Sequence, residues 1–412
     1  MSQLQQSITR SQGAGLLATT LLGTGVFILP QLTVEIAGTN AMYTWLGLTL
    51  LMLPLVWVFA KLASQHPHAA GPAYFVEQAF GTIWGRLVGL LFVFAVPVGA
   101  SAALMMVMEF VSVIVSLSSH GTLFIQLAFL GGLWLLNIRG AQLSAKLQFA
   151  LTVCIAAIIT AMLLAFAVES PSQQISTPES FSLPPIMIAA GIAFWSFLGI
   201  DALSHFSTEF KNPQQDFVPA MLIGTVVVGL LYLACAWLVL APITEGNLTM
   251  VSLFNQLFGG GGQWVIGLLG ITSGLATINM YIGGAARLCW SLSHDGILPR
   301  TLQPLNQQQV PQRAASFIIG LMLIITVIQY ALNLPFELFV NWTNGVFLII
   351  YAGCMLAALK LLSKQYRVAA YLGLFSCIAI MVGLGSHMLY ALVLSSLLLP
   401  LLHKQQQKIQ PN

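Results

Sequence analysis

Apolar residues in this chain come in long blocks, and polar residues collect between them. Twelve blocks stand out, at 13–36, 41–62, 86–116, 120–138, 146–168, 185–208, 217–241, 263–289, 314–332, 336–360, 368–385 and 387–402. Most lie near or above the roughly 20 residues that a helix needs to cross a hydrocarbon layer about 30 Å thick. The last block is short. Only the Gly385–Ser386 corner separates it from its neighbour, so the final pair reads as a tight helical hairpin. The pattern predicts an all-α polytopic membrane protein with twelve transmembrane helices.

Composition narrows the class. Only 6% of the 412 residues are charged and 58% are hydrophobic, against about 25% charged in a soluble domain. So few charges could not cover a soluble fold of this size, which excludes a soluble enzyme, a disordered chain and a disulfide scaffold. The formal net charge of +3 is small and spread out, so nucleic acid is not an expected partner. Cys154, Cys235, Cys289, Cys354 and Cys377 lie in apolar segments without metal-ligand spacing and read as small buried packing residues. No metal or cofactor is expected. No cleavable signal peptide is expected either: a single cation, Arg10, precedes an apolar run that continues past Gly23–Gly25, with more spans following.

The positions of the cations carry more than their number. Arg10 precedes the first block; Lys61 and Arg86 flank loop 2–3; Arg139 and Lys146 flank loop 4–5; Lys211 lies in loop 6–7. Arg287, Arg300 and Arg313 flank loop 8–9, Lys360, Lys364 and Arg367 flank loop 10–11, and Lys404 and Lys408 follow block 12. All 14 cations therefore fall on one side of an alternating chain. By the positive-inside rule that side is cytoplasmic, and so are both termini. The opposite loops carry Glu169, Glu179 and Glu245, and the glycine-rich connector 242–262 reads as a solvated loop.

Two blocks are interrupted by glycine near their middles: Gly23-Thr24-Gly25-Val26 in the first, and Phe194-Trp195-Ser196-Phe197-Leu198-Gly199-Ile200-Asp201 in the sixth. They lie five spans apart with opposite orientation. Such a pair in two inverted halves points to a transporter site. Unwound backbone exposes N–H and C=O groups that hydrocarbon cannot satisfy, so a break must line a cavity. A half-helix N-terminus favours a carboxylate, and freed carbonyls favour an ammonium. A zwitterionic amino acid matches both. For either break alone, a helix-packing notch explains the glycines equally well.

Asp201 is the one carboxylate placed well inside a block, where an ionisable group defaults to a functional reading. Steps of four residues lead from it to His205 and Glu209, which share one helix face. This stripe is a candidate proton path to the cytoplasm. The alternative is that Asp201 pairs with exposed backbone and the other two simply face water, or that Glu209 pairs with Lys211. Asn279, Asn341 and Asn344 either contact substrate or stitch helices together, and stitching is the commoner use of a buried amide. Met105, Met106 and Met108 either line a deformable pocket or pack in the core. Glu35, Glu109 and Glu337 read as interfacial carboxylates.

These residues resemble the amino acid–polyamine–organocation superfamily. Gly23-Thr24-Gly25-Val26-Phe27 is similar to its glycine-rich first helix. Pro67-His68-Ala69-Ala70-Gly71-Pro72-Ala73-Tyr74, then Phe80-Gly81, resembles its loop 2–3, with Ala70 in place of one glycine. The most specific stretch is Phe197-Leu198-Gly199-Ile200-Asp201-Ala202 with Glu209-Phe210-Lys211-Asn212-Pro213; Thr208-Glu209 stands where a double Glu is usual. Asp295-Gly296-Ile297-Leu298-Pro299 after Arg287 resembles loop 8–9. Within the superfamily, Phe194-Trp195-Ser196-Phe197, Ser204-His205-Phe206 and Asn344-Gly345-Val346-Phe347 are most similar to bacterial exporters of L-methionine and branched-chain amino acids.

The resemblance implies five-plus-five inverted repeats: 13–168 and 185–360, with a helical hairpin at 368–402 and tails at 1–12 and 403–412. It implies proton-driven exchange of neutral apolar amino acids across a bacterial inner membrane. Gly23, Thr24 and Gly25, with Val26 beside them, would hold the substrate carboxylate. Ser196, Phe197 and Gly199 would contact the amino group and side chain, and Asn279 is a further candidate contact. The scarcity of charge inside the spans agrees with a neutral side chain. Ser and Thr hydroxyls near the breaks leave sodium open as the coupling ion. Import of the same substrates is the nearest rival reading. The short tails argue against a non-transporting sensor, and no His-Glu-x-x-His pair or Ser/His dyad marks an enzyme. The sequence leaves oligomeric state open.

Overall fold

The computed structural model describes residues 9–66, 71–140, 145–169, 179–201, 210, 212–241 and 248–409. In chain order the helices are α1 Arg10–Leu22, α2 Leu29–Ala37, α3 Ala41–Gln65, α4 Pro72–Phe80, α5 Thr82–Ser112, α6 Ser119–Ile138, α7 Ala145–Glu169 and α8 Leu183–Ala193. There follow α9 Pro213–Val239, α10 Thr249–Phe258, α11 Gly262–His294, α12 Gln312–Leu332, α13 Phe336–Leu361, α14 Arg367–Leu384 and α15 Met388–Ile409. Among the described residues nine helical stretches are long and apolar enough to cross a membrane; Leu29–Gln65 and Lys364–Lys404 each count as one stretch. Each of the twelve apolar blocks coincides with helix over most of its described residues.

Local chemistry sets several ends. Thr9 and Gln12 form a reciprocal capping box at the start of α1. Ser118 Oγ accepts from Gly121 N at 3.2 Å and caps α6. Pro72 and Pro213 open α4 and α9, where a missing N–H costs nothing. At the other end of α4, Lys360 from α13 donates to Ala79 O at 3.2 Å and lies 4.1 Å over the Phe80 ring.

The core is organised around α5. It packs against α11, α13 and α4, and 83% of its most apolar window is enclosed, against 22% for α6. A stripe of glycines on α11 lets the two backbones approach: a side chain at Gly267 would meet Ile114, one at Gly270 the Phe110 ring, and one at Gly274 both Val107 and Thr24. Helices α9, α3 and α1 form a second packed group. The α13–α14 pair closes the far side, with α8 against α14. The outward faces of α6, α7, α12 and α15 carry large apolar residues such as Phe124, Leu164, Leu323 and Leu397, which suits contact with lipid rather than water.

Three expectations need correction. The connector 242–262 is not wholly a loop: Met250, Val251, Leu253 and Leu257 recur at helical spacing, and burying that stripe makes α10. Cys154 is exposed, because it lies on the outward face of α7, while the other four cysteines are buried. Residues 403–409, expected as tail, continue α15. Of the two readings open for the methionines, packing in the core describes Met106 and Met108, which are buried.

Candidate functional site

The two broken spans meet in the middle of the bundle. In the first, α1 stops at Leu22 because Gly23 adopts φ +30° and ψ −127°, off the helical path. The turn runs to Ile28. Its backbone bonds are Val26 N to Leu22 O and the N–H groups of Ile28 and Leu29 to Gly25 O. That arrangement leaves the N–H groups of Thr24 and Gly25 outside the backbone ladder among the described residues. The carbonyls freed at the end of α1 are held by side chains from two other helices. Tyr232 of α9 donates to Leu21 O at 3.2 Å and lies 3.5 Å from Leu22 O, and Ser273 of α11 donates to Gly23 O at 3.1 Å.

In the sixth block, α8 tightens into a 3-10 turn at Phe194–Phe197, Leu198 becomes extended (φ −69°, ψ 135°), and Gly199 reaches φ +114°. Only glycine adopts that backbone readily. It also fits only without a side chain, since a Cβ there would stand 2.5 Å from Thr20 Cγ2 and 3.0 Å from the Tyr281 hydroxyl. Asn344 of α13 donates its amide to Gly191 O at 2.8 Å and to Ile192 O at 3.3 Å. It therefore stitches α13 to the end of α8, as expected of a buried amide.

Between the breaks lies a cavity of about 50 Å³, room for a few waters. Thr20, Gly23, Thr24 and Gly25 form one wall, and Trp195 and Leu198 another. Val96, Gly99, Ala100 and Ala103 of α5, Thr277 and Tyr281 of α11, and Thr343 and Phe347 of α13 complete it. No Asp, Glu, Lys or Arg is in this lining. A second space of about 10 Å³ lies between α1, α7 and α11, bordered by Thr19, Gln148, Thr152 and Ser273. There Thr152 donates to the Thr19 hydroxyl at 2.7 Å.

Asp201 is fully buried behind the cavity wall. Its Oδ1 accepts from the Tyr351 hydroxyl at 2.7 Å and from Gly199 N–H at 3.3 Å. The Tyr351 ring sits edge-on to Phe59, Phe194 and Phe347, with centroids 4.9, 5.9 and 6.1 Å away. Phe347 faces the cavity one helical turn from Tyr351. The carboxylate is thus tied to the second break and is not among the residues that line the cavity. His205 and Glu209, the other members of the expected stripe, lie outside the described residues, as does Lys211. Among the described residues no group of His, Cys, Asp and Glu could hold a metal ion.

Gly23, Thr24 and Gly25, expected at the substrate, line the cavity; Gly199 is a breaking point as expected but, expected also as a substrate contact, is not among the lining residues. Elsewhere too, sequence reasoning and geometry part. Val26 and Phe197 are buried in the surrounding core, and Ser196 is buried behind the wall; Trp195 and Leu198 face the cavity in place of Ser196 and Phe197. The reason is the 3-10 turn, whose tighter winding rotates the side chains away from the α-helical register. Asn279 is not in the lining either: its Oδ1 accepts from Asn137 Nδ2 at 2.7 Å and joins α11 to α6. The contributions of α5 and α13 were not foreseen. The small-residue run Gly99-Ala100-Ser101-Ala102-Ala103, and hydroxyls at Thr277, Tyr281 and Thr343 in otherwise apolar spans, were the available signals.

The fold and this paired-break site are those of a membrane transporter, and the comparisons with known proteins agree. The amino acid permease family model matches residues 8–410, and the chain belongs to that family, within the superfamily that its motifs resemble. It is 35% identical to the L-methionine/branched-chain amino acid exporter YjeH of Escherichia coli (strain K12), over 98% of each chain. It is 27% identical to the uncharacterized amino acid permease YecA of Bacillus subtilis (strain 168), over 89% of this chain and 87% of that one. Among solved structures, a manganese transporter mutant from Eremococcus coleocola shares the fold. The TM-score is 0.61 at 11% identity, with 96% of this chain and 92% of the other covered.

Proposed function

We propose that this protein is a secondary active transporter that exports neutral hydrophobic amino acids, L-methionine, leucine, isoleucine and valine among them, in exchange for protons. One observation carries the reading. The cavity between two broken helices has uncharged walls that include Thr24 and Gly25 of the unwound segment, and a buried carboxylate, Asp201, stands at the second break outside the lining. An amino acid's carboxylate binds at Gly23, Thr24 and Gly25, where the N-terminal end of α2 adds favourable partial charge. Its side chain lies against Trp195, Leu198 and the small residues of α5. The identity to an exporter of such substrates supports the class.

In this proposal the chain crosses a bacterial inner membrane twelve times with both termini in the cytoplasm. Residues 13–168 and 185–360 are inverted repeats and 368–402 is the added hairpin. Asp201 takes up and releases the coupling proton, with His205 and Glu209 leading to the cytoplasm. Alternating access exposes the cavity to one side at a time. The test loads proteoliposomes with labelled methionine, leucine, lysine and glutamate and imposes pH or sodium gradients. Methionine and leucine efflux driven by a pH gradient is the expected result. Efflux driven only by sodium would refute proton coupling, and efflux of lysine but not methionine would refute the substrate class.

A further inference from the structure

Tyr232 belongs to neither broken span, yet its hydroxyl fastens the first break and lies close to the second. It is fully buried in the middle of α9. It holds Leu21 O at 3.2 Å and lies 3.5 Å from Leu22 O, the carbonyls freed where α1 stops. A side chain at Gly25 would stand 2.9 Å from the same oxygen, so the unwound segment passes directly over it. Ser196 of the second break lies beside this hydroxyl, and its own Oγ makes no hydrogen bond among the described residues.

The ring is fixed as firmly as the hydroxyl. It stacks on Trp45 of α3, with centroids 4.5 Å apart and planes 9° from parallel. The indole Nε1 donates to the Thr33 hydroxyl of α2 at 2.9 Å. One stacked aromatic pair therefore holds α1 through Tyr232 and α2 through Trp45. These are the two halves of the first broken span, and the residues between them form the substrate wall.

We propose that the Tyr232 hydroxyl is a positioning group for the amino acid site: it sets the path of the unwound segment 23–28, and with it the placement of the Thr24 and Gly25 N–H groups, without touching substrate. This rests on the transporter reading above. A group held in place by a neighbour outside the site binds tightly because little order is lost on binding. Loosening it should therefore weaken binding more than it slows the transport cycle.

Tyr232→Phe keeps the ring on Trp45 and removes only the hydroxyl. In proteoliposomes it should raise the half-saturation concentration for leucine and methionine exchange by about three- to tenfold, the scale of one or two lost hydrogen bonds. The maximal rate per folded protein should stay within about twofold of wild type, since the ring packing is kept. A second readout needs no substrate: backbone hydrogen exchange should quicken in the peptide spanning 21–29 and stay unchanged in α5. Thr33→Val, nearly isosteric, should shift both quantities the same way but less, and it decides the matter alone if Tyr232→Phe does not fold. Unchanged half-saturation and unchanged exchange at 21–29 would overturn the proposal, as would a fall in maximal rate alone. Wild-type vesicles that move no neutral amino acid, with exchange at 21–29 still sensitive to Tyr232→Phe, would instead sink the transport reading and leave Tyr232 as the fastening of the break.

Discussion

The two breaks solve one problem with different chemistry. At the first, freed carbonyls are met by neutral hydroxyls, Tyr232 and Ser273, brought in from α9 and α11. At the second, the carbonyls of Gly191 and Ile192 are met by the Asn344 amide, and the N–H of Gly199 by the Asp201 carboxylate. The first break lines the cavity with Gly23, Thr24 and Gly25 and carries no charge. The second carries a buried ionisable group, Asp201, which is bonded to Tyr351 and is not in the cavity lining. In a low-dielectric interior an ion next to a zwitterionic ligand would bias binding strongly. Keeping the ionisable group out of the cavity lining lets binding and protonation be separate events that are linked through packing.

If that division holds, changes at the two breaks will fail in different ways. The largest effect is expected from Asp201→Asn, which keeps shape and removes the charge. Flux driven by a pH gradient should drop to the level of protein-free vesicles while leucine–leucine exchange at equal pH persists. Retained gradient-driven flux would erase the contrast between the breaks. Next comes Gly199→Ala. The strained backbone alone costs roughly 1–2 kcal/mol, and the added methyl meets Thr20 and Tyr281, so both modes of transport and the melting temperature should fall together. Asn344→Ala removes the amide that bonds Gly191 O and Ile192 O, at about 1–3 kcal/mol; a thermal melt should show the loss, with substrate half-saturation little changed.

A smaller, more selective effect is expected where α5 crosses α13. A Cβ at Gly99 would stand 2.9 Å from Thr343 Cγ2 and 3.4 Å from Trp195 Cη2, all three on the cavity wall. Gly99→Ala should therefore favour valine over methionine in competition assays by a few-fold, on the scale of one methylene in a closed pocket. Adding Thr343→Ser removes the crowded methyl; recovery of stability with the selectivity shift intact would separate a size filter from a packing notch. An equal loss for every substrate would show that Gly99 serves packing alone.

The helices and the breaks were readable because their causes are local. Glycine at 23 and 199 interrupts a helix wherever the chain goes, and an apolar block must be helical to bury its backbone. Asp201 was readable for a similar reason: a lone carboxylate in an apolar block needs a partner. That partner, Tyr351, lies 150 residues away in sequence and no local pattern points to it. The same is true of Asn137 for Asn279 and of Tyr232 for Leu21. Trp195 against Ser196 turned on something smaller still, a single 3-10 turn that rotates one side chain into the cavity and its neighbour out of it.

The sequence alone determined that the chain is a bundle of apolar helices, where two of them open, and that one buried carboxylate stands beside an opening. Those facts follow from solvent and backbone, which act residue by residue. Tertiary structure decided which side chains satisfy each opening, which residues of α5 and α13 border the room for a ligand, and that Asp201 is not in its lining. Those depend on how helices distant in sequence pack, since a hydrogen bond or a cavity wall exists only when two surfaces are brought within a few ångströms.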